Sequence, residues 1–199
     1  MKSTKTLPEN YHAIGSIDLS LNRRALIWLN VLGLGLFVVT GSAFVQVLYW
    51  LRPNEAGSGL TLDLSSAGSI LELAAAFLAL YAGMILLHEA VHGSFFWVFT
   101  RERPVFAIRW AYAYAAAPGW FLPRNLYFVT ALSPLVGISL LGLAVFALAP
   151  PAWFMPTLIV LVANASGAIG DIWVAVWLLR HPPSCLACDK GDAVTLYLS

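Results

Sequence analysis

The chain has 199 residues, of which 60% are hydrophobic and only 11% are charged, and its net charge at pH 7 is +1. Soluble domains contain roughly 25% charged residues, and so short a chain cannot bury this much apolar surface. The composition excludes a disordered chain and a coiled coil, and it argues strongly against a water-soluble globule. The small net charge gives no sign of nucleic-acid binding, and two cysteines cannot form a disulfide framework. We therefore expect a polytopic protein of the lipid bilayer.

Four apolar stretches are long enough to cross a bilayer, which takes about 20 residues in a helix. They run over residues 25–51, 70–99, 126–149 and 157–179. The expected fold class is an all-α polytopic membrane protein with four transmembrane helices. The corresponding division of the chain is a cytoplasmic N-terminal segment 1–24, a four-helix membrane domain 25–180 and a cytoplasmic tail 181–199.

The basic residues indicate the orientation of such a chain. If all four stretches span, Arg52 falls on one side and the other ten basic residues fall on the opposite side. The positive-inside rule then predicts that both termini are cytoplasmic. The ten residues are Lys2, Lys5, Arg23, Arg24, Arg101, Arg103, Arg109, Arg124, Arg180 and Lys190.

The link between the second and third stretches does not have the pattern of a helix. Large side chains stand at every second position from 106 to 114, with Arg109 or small residues between them. A period of two with aromatic residues predicts a short membrane-associated β-strand or hairpin over residues 105–115, and an interfacial loop is the alternative. Residues 193–198 also predict a short strand, which we expect to pair with this segment.

The clearest chemical motif is His88-Glu89-Ala90-Val91-His92, inside the second stretch. Histidines at i and i+4 lie on one helix face, about 40° apart, so both imidazoles can bind one metal ion. Glu89 stands beside them, where it can accept a proton from a metal-bound water, as in zinc hydrolases. Ionisable groups are costly inside a membrane, which favours this interpretation over a polar cluster that only joins helices.

A catalytic zinc ion takes a third protein ligand, and Asp171 is the only charged residue in the other three stretches. His92 and His88 lie seven and eleven residues before Phe99, about 10 and 16 Å from that end of the span at 1.5 Å per residue. Asp171 lies eight residues before Leu179, about 12 Å from the same side by the same rise. The sequence thus places all three side chains at one level, although a helix–helix hydrogen bond is an alternative role for Asp171.

Two further groups of polar side chains have more than one interpretation. Asn164, seven residues before Asp171, shares its helix face and is a candidate for binding a substrate carbonyl or the developing oxyanion. A hydrogen bond to a neighbouring helix explains it equally well. Cys185 and Cys188, with His181, offer ligands for a second zinc or a redox site. Two reduced thiols in a cytoplasmic tail are the favoured interpretation.

The pairing of His88-Glu89-x-x-His92 with Asn164-x-x-Gly167-x-x-x-Asp171 resembles the site-2 protease class of intramembrane zinc metalloproteases. More closely, the chain resembles a family of small bacterial membrane proteins described as putative zincin peptidases, a domain of unknown function. The resemblance implies that His88, His92 and Asp171 bind Zn²⁺ and that Glu89 is the catalytic acid and base. It extends from about residue 70 and includes Pro118-Gly119, Arg124, Tyr127, Leu132-Ser133-Pro134 and Asp189-Lys190-Gly191-Asp192.

These features predict a zinc metalloprotease of the bacterial cell membrane that hydrolyses peptide bonds of a membrane protein or peptide substrate. One alternative is a non-proteolytic zinc hydrolase that acts on lipids or amides. Another is a metal-dependent regulatory membrane protein without turnover. The substrate, the cleavage site and the oligomeric state stay open at this level.

Overall fold

The computed structural model describes residues 2–18, 22–59, 64–108, 113–191 and 193–199, which form six α-helices and six short strands. The helices are α1 (Arg23–Leu51), α2 (Ala56–Gly59), α3 (Ala67–Thr100), α4 (Arg124–Leu148), α5 (Phe154–Gly167) and α6 (Ile169–Leu179). One 3₁₀ turn, Pro151–Trp153, precedes α5. The strands are β1 (His12–Asp18), β2 (Val105–Ile108), β3 (Ala113–Ala116), β4 (Phe121–Pro123), β5 (Leu186–Asp189) and β6 (Ala193–Leu198).

Polar residues fix the ends of the two longest helices. The Asn22 side chain accepts a hydrogen bond from the Ala25 N–H at 3.0 Å, which caps α1. Ser66 and Ser69 form a reciprocal capping box at the start of α3. Arg101 ends α3 in the left-handed conformation, with φ of 61°. These two caps determine where the 34-residue helix α3 begins and ends.

Three helices, α1, α3 and α4, are long and apolar enough to cross a membrane. The segment from Pro151 to Leu179 reaches that length only as two helices, α5 and α6, with an angle of 43° between them. The bonds Ala168 N–H to Asn164 O (3.0 Å) and Ile172 N–H to Ala168 O (2.9 Å) lie on either side of this bend. The start of α6 therefore lies inside the apolar segment rather than at its end.

The larger sheet joins distant parts of the chain. Its strand order is β1-β6-β5-β4, and every neighbouring pair is antiparallel. Ile17 of β1 aligns with Val194, and Ala187 of β5 aligns with both Leu196 and Leu122. Strands β2 and β3 form a separate antiparallel hairpin.

The N-terminal segment reaches both edges of the larger sheet. Thr4 makes an isolated bridge with Phe121 at the outer side of β4, and β1 then pairs at the opposite edge. The segments 1–24 and 181–199 precede and follow the predicted membrane domain in the chain, and their described strands meet in one sheet. Their pairing brings the two ends of the chain to the same end of the helices.

Two buried clusters lie at opposite ends of the helices. The first packs the larger sheet against α3, α4 and α6; it consists of Phe96, Ala117, Leu122, Tyr127, Leu178, Cys185, Ala187, Val194 and Leu196. The second joins α1, α2, α4 and α5 and consists of Leu48, Ala56, Phe146, Phe154 and Leu161. His88 and His92 lie on α3 at a level between these two clusters, nearer to the cluster that packs against the sheet.

Arg52, the basic residue that falls on the other side from the rest, has a structural role beside the second cluster. Its guanidinium donates to the carbonyls of Ala147 (3.0 Å) and Ala149 (3.4 Å), pairs with Glu55 and lies over the Phe154 ring. It therefore neutralises the C-terminal end of α4, where helix carbonyls lack partners. This local role explains a cation that departs from the charge pattern.

The predicted fold class is wrong in two respects. The protein is not all-α, because six strands form two sheets. Among the described residues, three helices qualify as spans alone, and the fourth candidate is the bent pair α5–α6 rather than a regular span. Strands of three to seven residues, paired across most of the chain, leave little trace in hydropathy.

Two predictions about individual strands have different outcomes. β2 and β3 lie within the segment for which a strand or hairpin is predicted; residues 109–112 of that segment lie outside the described residues. The strand predicted over residues 193–198 is confirmed as β6. Its predicted pairing is wrong, because β6 pairs with β1 and β5 and not with the hairpin.

Candidate metal centre

Helix α3 presents both histidines on one face. His88 and His92 are one turn apart, and their ring centroids lie 4.9 Å from each other in an edge-to-face arrangement. Each residue is less than one-tenth exposed. Burying two imidazoles costs free energy unless their nitrogens have partners, so the partners indicate what the site is built to hold.

Asp171 extends from the first turn of α6 towards both rings. Its Oδ2 lies 3.0 Å from His88 Nε2, and its Oδ1 lies 3.4 Å from His92 Nε2. One ligand atom from each of the three residues lies within 4.8 Å of the other two, a spacing that can hold a metal ion. The bend between α5 and α6 places the carboxylate at a helix N-terminus, where the helix dipole favours a negative charge.

The other nitrogen of His92 has a backbone partner on α4. His92 Nδ1 lies 2.9 Å from the Thr130 carbonyl oxygen, which can only accept, so Nδ1 carries the proton and donates. In the neutral ring, Nε2 therefore keeps its lone pair on the side of Asp171. Metal-binding histidines characteristically have their second nitrogen held in this way.

Asn164 does the same for His88. The Asn164 amide is fully buried; its Nδ2 donates to the Pro134 carbonyl at 3.3 Å, which turns Oδ1 towards His88 Nδ1 at 2.9 Å. His88 Nδ1 is thus the donor, so that in the neutral ring Nε2, which contacts Asp171, keeps the lone pair that would bind a metal ion. The sequence proposes Asn164 for binding substrate, whereas the structure places its amide behind the His88 ring.

Replacing Asn164 with leucine is expected to weaken zinc binding by ~10–100-fold, the usual effect of losing an outer-shell partner of a histidine ligand. The cause is that His88 Nδ1–H loses its acceptor and the ring loses its fixed tautomer. Competition with a chromogenic zinc chelator measures this affinity. Asn164→Asp keeps an acceptor oxygen and is the matched control; equal affinities of the leucine variant and the wild type would contradict this role.

Glu89 occupies the adjacent face of α3 and points at the hairpin. It is half-buried, and the backbone of Ala115 in β3 lies near enough to act on its carboxylate. The charges of His88, His92 and Asp171 all act on it, which places it beside the cluster without making it a member. It is therefore located to exchange protons with a molecule bound at the cluster.

Two glycines allow the hairpin to approach this closely. A Cβ on Gly93, next to His92, would collide with the Phe106 ring of β2. A Cβ on Gly191, which has φ of 94°, would collide with the Tyr114 ring of β3. The hairpin thus rests on α3 at one side and on the turn between β5 and β6 at the other.

That turn contains a buried carboxylate which the sequence motif chemistry did not single out. Tyr127 OH donates to Asp189 Oδ2 at 2.7 Å, and the Gly191 N–H donates to Oδ1 at 2.6 Å. Burial raises the pKa of Asp189 to about 6, although both hydrogen bonds act in the opposite direction. The only signal in the sequence is the Asp-Lys-Gly-Asp segment, which carries the resemblance but no metal-ligand spacing.

Asp189 is expected to make stability depend on pH. The pKa of Asp189 is about 6 in the folded protein and 3.8 for the ordinary side chain, so the folded state holds the proton more tightly. Ionisation of Asp189 therefore costs the folded state no stability below pH 4. The loss of folding free energy grows as pH rises and is complete above pH 6, where it amounts to ~3 kcal/mol.

Thermal unfolding of the wild type and Asp189→Asn between pH 4.5 and 8 tests this dependence. We expect the asparagine variant to gain stability relative to the wild type as pH rises, because it is never charged and its carbonyl still accepts from Gly191. Parallel pH curves for the two proteins would show that Asp189 does not titrate in this range.

Cys185 and Cys188 are both buried free thiols. Burial raises the pKa of each thiol, which disfavours the thiolate that binds metals or attacks disulfides. Among the described residues, His88, His92 and Asp171 form the only group of three or more His, Cys, Asp or Glu side chains close enough to hold a metal. The described structure therefore gives no support to a second zinc site with His181.

A protein-family model described as "putative zincin peptidase" matches residues 81–186, which is just over half of the chain. The chain belongs to this family. The matched region contains both histidines, Glu89, Asn164 and Asp171. Neither the curated proteins nor the solved structures compared with the chain gave a match. The relation to site-2 proteases stays a prediction.

Membership of the zincin-peptidase family suggests a zinc-dependent peptidase, and the residues present fit a zinc ion. Two imidazole nitrogens and one carboxylate form a common ligand set of catalytic zinc, with the fourth position left for water. The hydrogen bonds to both Nδ1 atoms support the same conclusion, because in the neutral rings they leave each Nε2 able to bind a metal ion where the three side chains converge. The cluster, Glu89 and the hairpin together form the candidate active site.

Proposed function

We propose that the protein is a membrane-embedded zinc metallopeptidase that hydrolyses peptide bonds of membrane-associated substrates. The observation that carries the proposal is the convergence of His88 Nε2, His92 Nε2 and the Asp171 carboxylate, with both Nδ1 atoms satisfied from behind. A polar contact that only joins helices would not require acceptors for both Nδ1 atoms and both Nε2 atoms facing one carboxylate. The family membership supports the same class of reaction.

The three ligand side chains would hold the zinc ion and leave one position open. When bound, the ion supplies a Lewis acid that acidifies a coordinated water and polarises a carbonyl. Asp171 is the most exposed of the three, with a quarter of its side chain accessible, whereas each histidine side chain is about one-tenth accessible. We infer that substrate approaches from the side of Asp171 and Glu89.

Glu89 is the proposed general base and acid. Its carboxylate accepts the proton of the attacking water and returns it to the nitrogen of the leaving amine. The backbone of Ala115 lies beside this carboxylate, which places the side chain between the cluster and the hairpin. Helix α3 thus supplies both the proton carrier and two of the ligands.

The hairpin is the proposed binding site for an extended substrate. β3 pairs with β2 along one edge, and its other edge has no strand partner among the described residues. The backbone of Ala115 lies beside Glu89, which brings β3 close to the cluster. A substrate strand added at this edge would lie along the cluster, and helical substrates must unwind before their carbonyls become accessible.

The membrane placement is also a proposal. The apolar helices α1, α3 and α4 support an integral membrane protein whose partner is the lipid bilayer. The larger sheet, both chain ends and most basic residues lie at one end of these helices, which supports a cytoplasmic location for that end. The active site would then open near the cytoplasmic face.

The experiment that tests the proposal is hydrolysis of fluorescently labelled casein by the purified protein in detergent. We expect cleavage that stops with a zinc chelator and returns when zinc is added, with new amino termini detected by mass spectrometry. A labelled phospholipid and a simple amide, assayed in parallel, test the non-proteolytic alternative. Zinc-dependent release of fatty acid without peptide cleavage would replace the peptidase by a lipid hydrolase.

A further inference from the structure

Helix α4 contains a proline in its interior, Pro134, directly behind the two histidine ligands. In a regular α-helix, the N–H of residue 134 would bond to the carbonyl of residue 130. Proline has no N–H, so the Thr130 carbonyl lacks its helical donor. A buried carbonyl without a hydrogen-bond donor costs free energy, and the Thr130 carbonyl accepts from two other donors instead.

Both replacement donors are side chains. His92 Nδ1–H donates to the Thr130 oxygen at 2.9 Å, and Ser133 Oγ donates to the same oxygen at 2.8 Å. A carbonyl oxygen offers two lone pairs, so these two donors fill it. The carbonyl of Pro134 itself accepts from Asn164 Nδ2 at 3.3 Å, and Asn164 in turn accepts from His88. The hydrogen bonds behind both rings therefore end on one turn of α4, at the carbonyls of Thr130 and Pro134.

We propose that Pro134 is a positioning residue for the metal centre, since its missing N–H leaves the Thr130 carbonyl available to orient His92. The inference rests on the proposed zinc site. It assigns to α4 the role of orienting His92, which depends on a missing backbone N–H and not on a metal-binding side chain. An alanine at position 134 would add a backbone donor aimed along the helix at the Thr130 oxygen. Three donors would then compete for two lone pairs, and the flexible side chains would yield before the backbone.

The test is the zinc affinity of Pro134→Ala, measured by chelator competition in detergent beside the thermal stability of the metal-free protein. We expect the affinity to fall by ~10–100-fold, as for the loss of an outer-shell partner. The metal-free protein is expected to be as stable as the wild type or more so, because proline is the least favourable residue in a helix interior. A proline needed only for folding would not give these opposite effects.

A second variant tests the competition itself. Adding Ser133→Ala to Pro134→Ala removes one of the three donors, so the double variant is expected to recover most of the lost zinc affinity. Ser133→Ala alone supplies the baseline. Pro156→Ala is the matched control, because Pro156 lies in the first turn of α5, where N–H groups have no helical partner in any case.

Three outcomes overturn the inference. One is a wild-type affinity in Pro134→Ala. Another is an affinity loss matched by an equal loss of metal-free stability or not relieved by Ser133→Ala, which would assign Pro134 to folding alone. The third is a wild-type protein that binds no zinc, which removes the proposed function as well and is recognised before any variant is made.

Discussion

Replacing Glu89 with glutamine is expected to abolish peptide cleavage while the protein keeps its zinc. Glutamine has nearly the same shape as glutamate, but its amide cannot take a proton from water. General-base catalysis contributes ~10²–10⁴-fold to a rate, so the variant should lose at least that range of turnover. Casein hydrolysis and metal analysis of the same preparation measure the two quantities.

Glu72→Gln is the matched control for this variant. Glu72 lies on the same helix, is exposed and is absent from the metal cluster, so its loss should leave both turnover and zinc content unchanged. Normal turnover in Glu89→Gln would refute Glu89 as the proton carrier. A loss of zinc from that variant would instead make Glu89 a ligand, which its position on the adjacent face of α3 argues against.

Replacing Asp171 with alanine is expected to remove the zinc ion. The change deletes the only anionic member of the cluster and leaves two imidazoles, both of which come from α3. The affinity loss should exceed the ~10–100-fold expected for an outer-shell change such as Asn164→Leu. Zinc content after dialysis and affinity by chelator competition both report it, and cleavage should fall with the zinc content.

Asp171→Asn provides a graded comparison, since it keeps an oxygen at the same place without its charge. We expect its zinc affinity to lie between those of the wild type and the alanine variant. Full zinc content in Asp171→Ala would mean that α6 does not contribute a ligand. The convergence of the three side chains would then be an ion pair between helices and not a metal site.

The centre of the site was predictable because local geometry determines it. The spacing of His88 and His92 fixes two rings on one helix face wherever the helix lies. The rise per residue placed Asp171 between them in depth, and the structure brings its carboxylate to 3.0 Å and 3.4 Å from the two rings. Both inferences needed only residue spacing within single helices.

The supports of the site were not predictable in the same way. His92 is held by a backbone carbonyl of Thr130, and no side-chain pattern encodes that contact. Pro134 was visible within an apolar stretch, and the carbonyl it leaves without a donor could have been counted. Its meaning appears only once α4 is known to lie behind α3, which is a matter of packing and not of spacing.

The sheet shows the limit of hydropathy most clearly. β4 and β5 have three and four residues, and they pair with each other although more than 60 residues separate them in the chain. The bend at Ala168 does not show in hydropathy either, because the polar and small residues around it, Ser166, Gly167, Gly170 and Asp171, are too few to interrupt the long apolar stretch. A sequence window that measures apolar length therefore reports one span where the structure has two helices.

We propose that α3 and α6 hold one zinc ion between them, and X-ray absorption at the zinc edge of the purified protein identifies the ligands of that ion. We expect one zinc per chain, with nitrogen and oxygen ligands at ~2.0–2.2 Å, two of them imidazoles, and no sulfur. Zinc–sulfur scattering at ~2.3 Å would instead assign the metal to Cys185 or Cys188. That result, or a protein free of zinc after purification with the metal present, would rule out a zinc site shared by α3 and α6.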